Sequence, residues 1–139
     1  MALQGLDEVQ KALKKQRKQT NLFLRGVYLQ GLGNIATGTP IGEGRAANNW
    51  FLTTGSPFDG VTSTTSGNES FTFRMPVNVL GKRLFFTNNL PYINMLEYGG
   101  YGNGPKTLLG YSDQAVGGWV RRELLIMRNG IRNKIESGT

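Results

Sequence analysis

From Asn21 to about Ala36 the chain is apolar around nearly the whole circumference of a helical wheel: Leu22, Phe23, Leu24, Val27, Tyr28, Leu29, Leu32 and Ile35 leave little polar face. A helix of that kind is buried, or is packed by a neighbour on its second side. Any fold for this chain must therefore cover the segment twice. Gly26, Gly31 and Gly33 weaken the helix and permit close helix packing or a kink. Thr37-Gly38-Thr39-Pro40 ends it, because Pro40 cannot continue the hydrogen-bond ladder.

Helical periodicity recurs at both ends of the chain. Leu6, Val9 and Leu13 share one face of a predicted helix over Gly5–Gln19, and Asp7 and Glu8 sit in its first turn, where the helix dipole favours acids. Val120, Leu124, Met127, Ile131 and Ile135 predict a last helix over about Gly117–Glu136. Between these lies extended and irregular chain. Trp50–Thr54, Phe71–Met75 and Arg83–Thr87 read as short strands. Arg45–Asn48 reads as a short helical turn, and Pro91–Tyr98 as a single helical turn. Gly42–Gly44 and the glycine-rich Gly99–Gly110 read as irregular. Thr53–Asn68 is dominated by Ser, Thr and Gly and predicts a long flexible loop around 55–68. The expectation is one α+β domain over residues 1–139. N-terminal helices and a long C-terminal helix pack on a small antiparallel sheet that carries this Ser/Thr/Gly-rich loop.

The 139 residues include 20 Gly, about twice the usual share, while charged residues reach only 18%, below the usual ~25%. Such a surface suits a chain with many turns and with faces that other chains cover. Lys and Arg number 16 against 9 Asp and Glu, a formal net charge of +7. The excess lies on the end helices: Lys11, Lys14, Lys15 and Lys18 on the first, Arg128 and Arg132 on the last. These six are candidate positions for facing a partner or nucleic acid, since clustered cations alone attract phosphate without reading sequence. Recognised groove-reading scaffolds are not visible, and no aromatics interleave with the lysine run.

Cys and His are both absent, which removes disulfides, thiolate nucleophiles, structural zinc, Ser-His-Asp triads and an imidazole base. Gly31-Leu32-Gly33-Asn34-Ile35-Ala36 matches a dinucleotide-loop pattern, but it sits inside a helix with no following βαβ unit. Asn68-Glu69-Ser70 is a sequon only in a secretory pathway. Glu43, Glu97 and Asp113 lie near glycine-rich loops without paired-carboxylate spacing. No catalytic residue, metal site or cofactor is expected. Nor does any segment have the ~20 apolar residues of a membrane span, and Met1–Gly5 lacks the start of a signal peptide. The expectation is a soluble protein, made and used without secretion and without a membrane partner.

Three segments in order resemble one family. Thr39-Pro40-Ile41-Gly42-Glu43-Gly44-Arg45-Ala46-Ala47-Asn48-Asn49-Trp50 is similar to the T-P-V-D-T-G-R-A-R-x-N-W signature of tailed-bacteriophage tail-completion, or head–tail joining (neck), proteins. Thr87-Asn88-Asn89-Leu90-Pro91-Tyr92-Ile93-Asn94-Met95-Leu96-Glu97-Tyr98-Gly99 resembles that family's N-N-x-P-Y-x-x-x-L-E-x-G. Ala115–Leu124, with Gly118-Trp119-Val120-Arg121, resembles the segment opening its last helix. Gly42-Glu43 stand in place of Asp-Thr, Ala47 in place of Arg, and Val116 in place of Pro.

The resemblance implies a structural virion protein at the neck, assembled in the host cytoplasm and working by subunit contacts without catalysis. It implies a homo-oligomeric ring, six-fold by expectation, with head-closure, tail terminator or tail tube subunits as partners and nonspecific contact with phage DNA. A tail terminator ring or a basic packaging module are the alternative readings. The motif positions carried over are Thr39, Pro40, Gly44, Arg45, Trp50, Asn89, Pro91, Tyr92, Glu97, Gly99, Trp119 and Arg121. Trp50 and Trp119 are read as core residues rather than binding hot spots. Arg45 and Glu97, opposite in charge and both beside loops, are expected to pair across the domain.

Overall fold

The computed structural model describes residues 5–41, 45–64 and 75–138. Helix α1 spans Leu6–Gly38, 33 residues, or about 50 Å at 1.5 Å per residue. The two expected N-terminal helices are thus one. The apparent boundary at Thr20-Asn21 fails because Asn21 does not cap a helix start. It is 8% exposed within α1 and spends its amide sideways, donating to the Val77 carbonyl at 2.8 Å and accepting from Val79 N–H at 2.6 Å. Arg25 Nε adds a bond to the Pro76 carbonyl at 3.0 Å. Two polar side chains of α1 so fix the segment Pro76–Val79.

After α1 come a 3-10 turn at Ala47–Asn49 and strand β1, Phe51–Thr54. Strand β2, Leu84–Thr87, pairs antiparallel with β1, Leu52 opposite Phe86. Helix α2 is Ile93–Tyr98, and helix α3 is Val120–Glu136. The expected strand Phe71–Met75 lies, but for its last residue, outside the described residues, as does the expected loop Gly42–Gly44; Met75 is buried and not in a strand. Gly99–Gly110 is not wholly irregular: strand β3, Thr107–Leu108, pairs with β4, Tyr111–Ser112. The tight turn between them places both Leu109 (φ 55°) and Gly110 (φ 85°) in the left-handed region, as a two-residue hairpin requires.

The chain is therefore α+β, with two long helices and two small two-stranded antiparallel sheets. The core forms where the C-terminal end of α1 (Leu32, Ile35, Ala36) meets Trp50 and Leu52, Val79, Leu90 and Leu96, and Trp119. The Trp50 and Phe86 rings stack with centroids 4.8 Å apart. Helix α3 runs antiparallel along α1: Trp119 lies against Gly38, Met127 against Gly31, and the Lys134 ammonium over the Phe23 ring. A Cβ on Gly31 would overlap the Met127 thioether, so this glycine sets the approach of the two helices. The all-round apolar stretch is covered on two sides, by α3 and by the core.

Candidate functional site: three motif segments at one joint

Helix α3 starts without a capping side chain of its own, although the first N–H groups of a helix lack intrahelical partners. Glu97, in the last turn of α2, supplies the cap. Its Oε2 accepts from Trp119 N–H at 3.0 Å and Val120 N–H at 2.9 Å; its Oε1 accepts from Arg121 N–H at 3.0 Å and Arg121 Nε at 3.1 Å. The guanidinium also donates to the Glu97 carbonyl at 3.0 Å and lies 4.4 Å from the Tyr98 ring centroid. A carboxylate is the natural group here, because the helix start carries partial positive charge. Gly118 makes room for it. With φ 84°, a Cβ there would lie 2.5 Å from the Glu97 carbonyl oxygen.

Glu97 is only 6% exposed. Burial is the largest single influence on its carboxyl and pushes the pKa up. The backbone N–H groups of Arg121, Trp119 and Val120, with the Arg121 side chain, together outweigh burial and hold it below the ordinary glutamate range.

A second set of bonds closes the other end of α1. The Thr39 N–H bonds to Ala36, which leaves the Ile35 carbonyl to the Thr39 hydroxyl at 2.7 Å and the Trp119 indole N–H at 2.8 Å. The Thr39 oxygen in turn accepts from the Trp50 indole at 2.8 Å. Thr39, Trp50 and Trp119 are all buried, so the two tryptophans are core residues, each with its N–H satisfied. Thr39, Trp50, Glu97, Trp119 and Arg121 thus meet at one joint, drawn from all three motif segments.

The expected Arg45–Glu97 pair does not form. Among the described residues the one ion pair is Arg121–Glu97, while Arg45 Nε donates to the Thr62 carbonyl at 3.3 Å. Opposite charge alone was a poor guide, because the Glu97 oxygens are taken by the helix start. Asn88, not Arg45, ties the first two motif segments together, donating to the Ala46 carbonyl at 2.9 Å.

The other motif residues hold loops. Asn89 donates to the carbonyls of Phe58 at 2.7 Å and Gly60 at 3.0 Å. Asn49, fully buried, donates to the Thr62 carbonyl at 2.9 Å and accepts Thr62 N–H at 2.8 Å. The irregular stretch 57–64 is therefore tied down on two sides, and 65–68 lies outside the described residues. Pro40 is buried directly after α1, Pro91 is exposed in the turn before α2, and Tyr92 packs against the core from that turn. Gly99 ends α2 with its N–H on the Met95 carbonyl. Gly44 lies outside the described residues. Gln114 grips Ile41, accepting its N–H at 2.8 Å and donating to its carbonyl at 2.9 Å. Asn49 and Asn88 belong to the quoted motif segments, whereas Asn21 and Gln114 were not singled out from sequence.

Lys11, Lys14, Lys15 and Lys18 are exposed on the first half of α1, and Arg128 and Arg132 on α3. They do not join the motif residues. At the joint every polar atom with a bond has a fixed structural partner, and Glu97 has both oxygens occupied. Among the described residues no three metal-ligating side chains gather, and no helix is long and apolar enough to cross a membrane. No protein-family model, curated protein or solved structure matches the chain.

Proposed function

We propose that this protein is a structural component of a tailed-phage virion that acts at the neck, in tail completion and head–tail joining, through subunit contacts and without catalysis. The observation that carries this reading is the use of the motif residues. Thr39, Trp50, Glu97, Trp119 and Arg121 build a buried joint between α1, α2 and α3 rather than an open reactive site. Residues spent in this way shape a surface.

The surface so shaped has apolar side chains that its own fold leaves uncovered. Leu124, Leu125 and Ile126 on α3 are each about half exposed, and Ile135 is 74% exposed. Exposed apolar side chains gathered on one helix support the reading of α3 as an interaction surface. The reading takes the partners to be further copies in a ring, six-fold by expectation, and neighbouring head-closure, tail terminator or tail tube subunits. Assembly takes place in the host cytoplasm, and the finished site is the virion neck.

A second reading, a basic module bound to DNA, is favoured by the four lysines that share one face of α1. Assembly of particles without this gene separates the two. Full heads beside unjoined tails support the connector. Empty heads, together with DNA retention by the purified protein that falls steeply with salt, support the module.

A further inference from the structure

The row of α1 that α3 covers continues beyond the end of α3. Leu6, Val9, Leu13 and Gln16 follow one another at helical spacings of three and four residues, and Phe23 and Val27 stand on the same row further along. Over these last two the row lies under α3: the Lys134 ammonium stands over the Phe23 ring, and Val27 lines a cleft with Met127. Both are half-buried. Helix α3 ends at Glu136, and the row runs on bare. Residues 5–20 are exposed throughout, Leu6, Val9 and Leu13 about half so. Where α3 stops, a groove of about 880 Å³ opens between Gln16, Thr20, Phe23, Ile131 and Ile135.

The charges of this bare arm are ordered. Lys11 and Lys18 lie directly opposite the row. Asp7 and Lys14 flank them on one side, with Arg17 on that side nearer the row, and Glu8 and Lys15 flank them on the other. Both acids belong to the first turn, and the bases follow. The row itself carries no charge from Leu6 to Gln16.

We propose that two copies pair through these arms, antiparallel, with Val9 of each against Leu13 of the other and Leu6 against Gln16. The charge order selects the occupant. Antiparallel arms are related by a two-fold axis, so each side of one helix faces the same side of the other. At this register Asp7 comes within a turn of Lys14 and Arg17 of the second copy, and Glu8 within a turn of Lys15 of the second copy. Parallel arms would set acid level with acid and lysine level with lysine. The order is thus self-complementary, which a foreign partner would not require. Each Leu6 arrives at Gln16 of the second copy, at the mouth of the groove where α3 stops, and the arm takes up the row that α3 leaves. The overlap from Leu6 to Gln16 is about 16 Å long, small for an interface, which makes a weak and reversible pair. A two-fold contact closes on itself and builds no ring, so the pairing does not rest on the neck reading.

The chain has no Cys, so single cysteines placed on the arm report its neighbours. Full-length Val9→Cys and Leu13→Cys chains, mixed one to one and oxidised with copper and air, join position 9 to position 13, since a disulfide needs Cα atoms within about 7 Å. Pairing raises the local concentration of the two thiols, and the mixed disulfide forms at least about tenfold faster than the dimer of Lys11→Cys chains, whose thiol points away from the row. Lys14→Glu with Lys15→Glu, added to both chains, sets acid against acid and slows the mixed disulfide at least about tenfold. Thermal unfolding stays unchanged, because the arm lies outside the core. A 9–9 disulfide in excess over 9–13 means parallel arms. Equal rates at positions 9, 11 and 13 mean chance collision, with the row left to a foreign partner. Either result overturns the pairing and leaves the neck reading untouched.

Discussion

The carboxylate of Glu97 and the guanidinium of Arg121 meet at 3.1 Å, and the same carboxylate accepts the three backbone N–H groups that open α3. The pair is less a surface salt bridge than a hinge pin. It joins the last turn of the short helix to the first turn of the long one, and through Trp119 it reaches the C-terminal end of α1.

Replacing Glu97 should therefore cost more than an ordinary ion pair. Glu97→Gln keeps one acceptor oxygen and adds donors where only donors already point. It should lower unfolding free energy by about 2–3 kcal/mol, the scale of a buried charged hydrogen-bonding group. Arg121→Gln should cost distinctly less, because the carboxylate keeps its three backbone donors. Urea unfolding followed by tryptophan fluorescence measures both, and equal losses would contradict the capping account.

Acid should weaken the same joint. The folded carboxyl titrates below its unfolded value, so Glu97 stabilises the fold above the ordinary glutamate range and loses that contribution as pH falls through the folded value. The stability gap between wild type and Glu97→Gln should be full at pH about 7 and shrink well below the unperturbed value of about 4.3. Denaturant midpoints across pH for the two proteins give the comparison; a gap constant down to the acid limit would contradict it.

At the other end of the joint, Thr39→Val preserves shape and removes the oxygen that receives the Trp50 indole N–H. A buried donor left without a partner costs about 1–3 kcal/mol. Thr39→Ser restores that oxygen and should recover most of the loss. Thermal unfolding of the two variants, read with near-ultraviolet dichroism of the tryptophans, checks the order.

Leu109 gives a prediction of the opposite sign. It is 80% exposed and holds φ 55° at the tip of the β3–β4 hairpin, a conformation that costs a residue with a Cβ roughly 1–2 kcal/mol. Leu109→Asn, suited to that turn, should stabilise the fold by about 1 kcal/mol in the same denaturation assay. A destabilised variant would mean that Leu109 makes contacts that outweigh its backbone strain.

The periodic elements were legible in the sequence for a physical reason. Apolar positions recur at helical spacing along α1 and α3, although only Leu32, Ile35 and Ala36 of α1 enter the core, while Leu6, Val9 and Leu13 of α1 and Leu124 and Ile135 of α3 stay exposed. The joins were less legible. Thr20-Asn21 has the composition of a helix start, and only the distant Val79 N–H decides that Asn21 serves a helix interior instead. The β3–β4 hairpin turns on Leu109-Gly110, where a turn reader looks for Asn-Gly. Apart from the Arg121 side chain, the partners of the Glu97 carboxylate are backbone groups, which carry no sequence letter. The one available trace was indirect: Gly117-Gly118-Trp119 offers α3 no Ser, Thr, Asp or Asn to start on, so the cap had to come from elsewhere. That both tryptophans are core was legible, whereas their sharing of the Thr39–Ile35 bonds was not.

Imaging of completed virions with an electron-dense tag on the exposed Gly102–Gly104 turn tests the central claim most directly. The account predicts the tag at the junction of head and tail, in one fixed ring of copies in every particle. Particles that lack the tag, or carry it on the capsid shell or the distal tail, would contradict it.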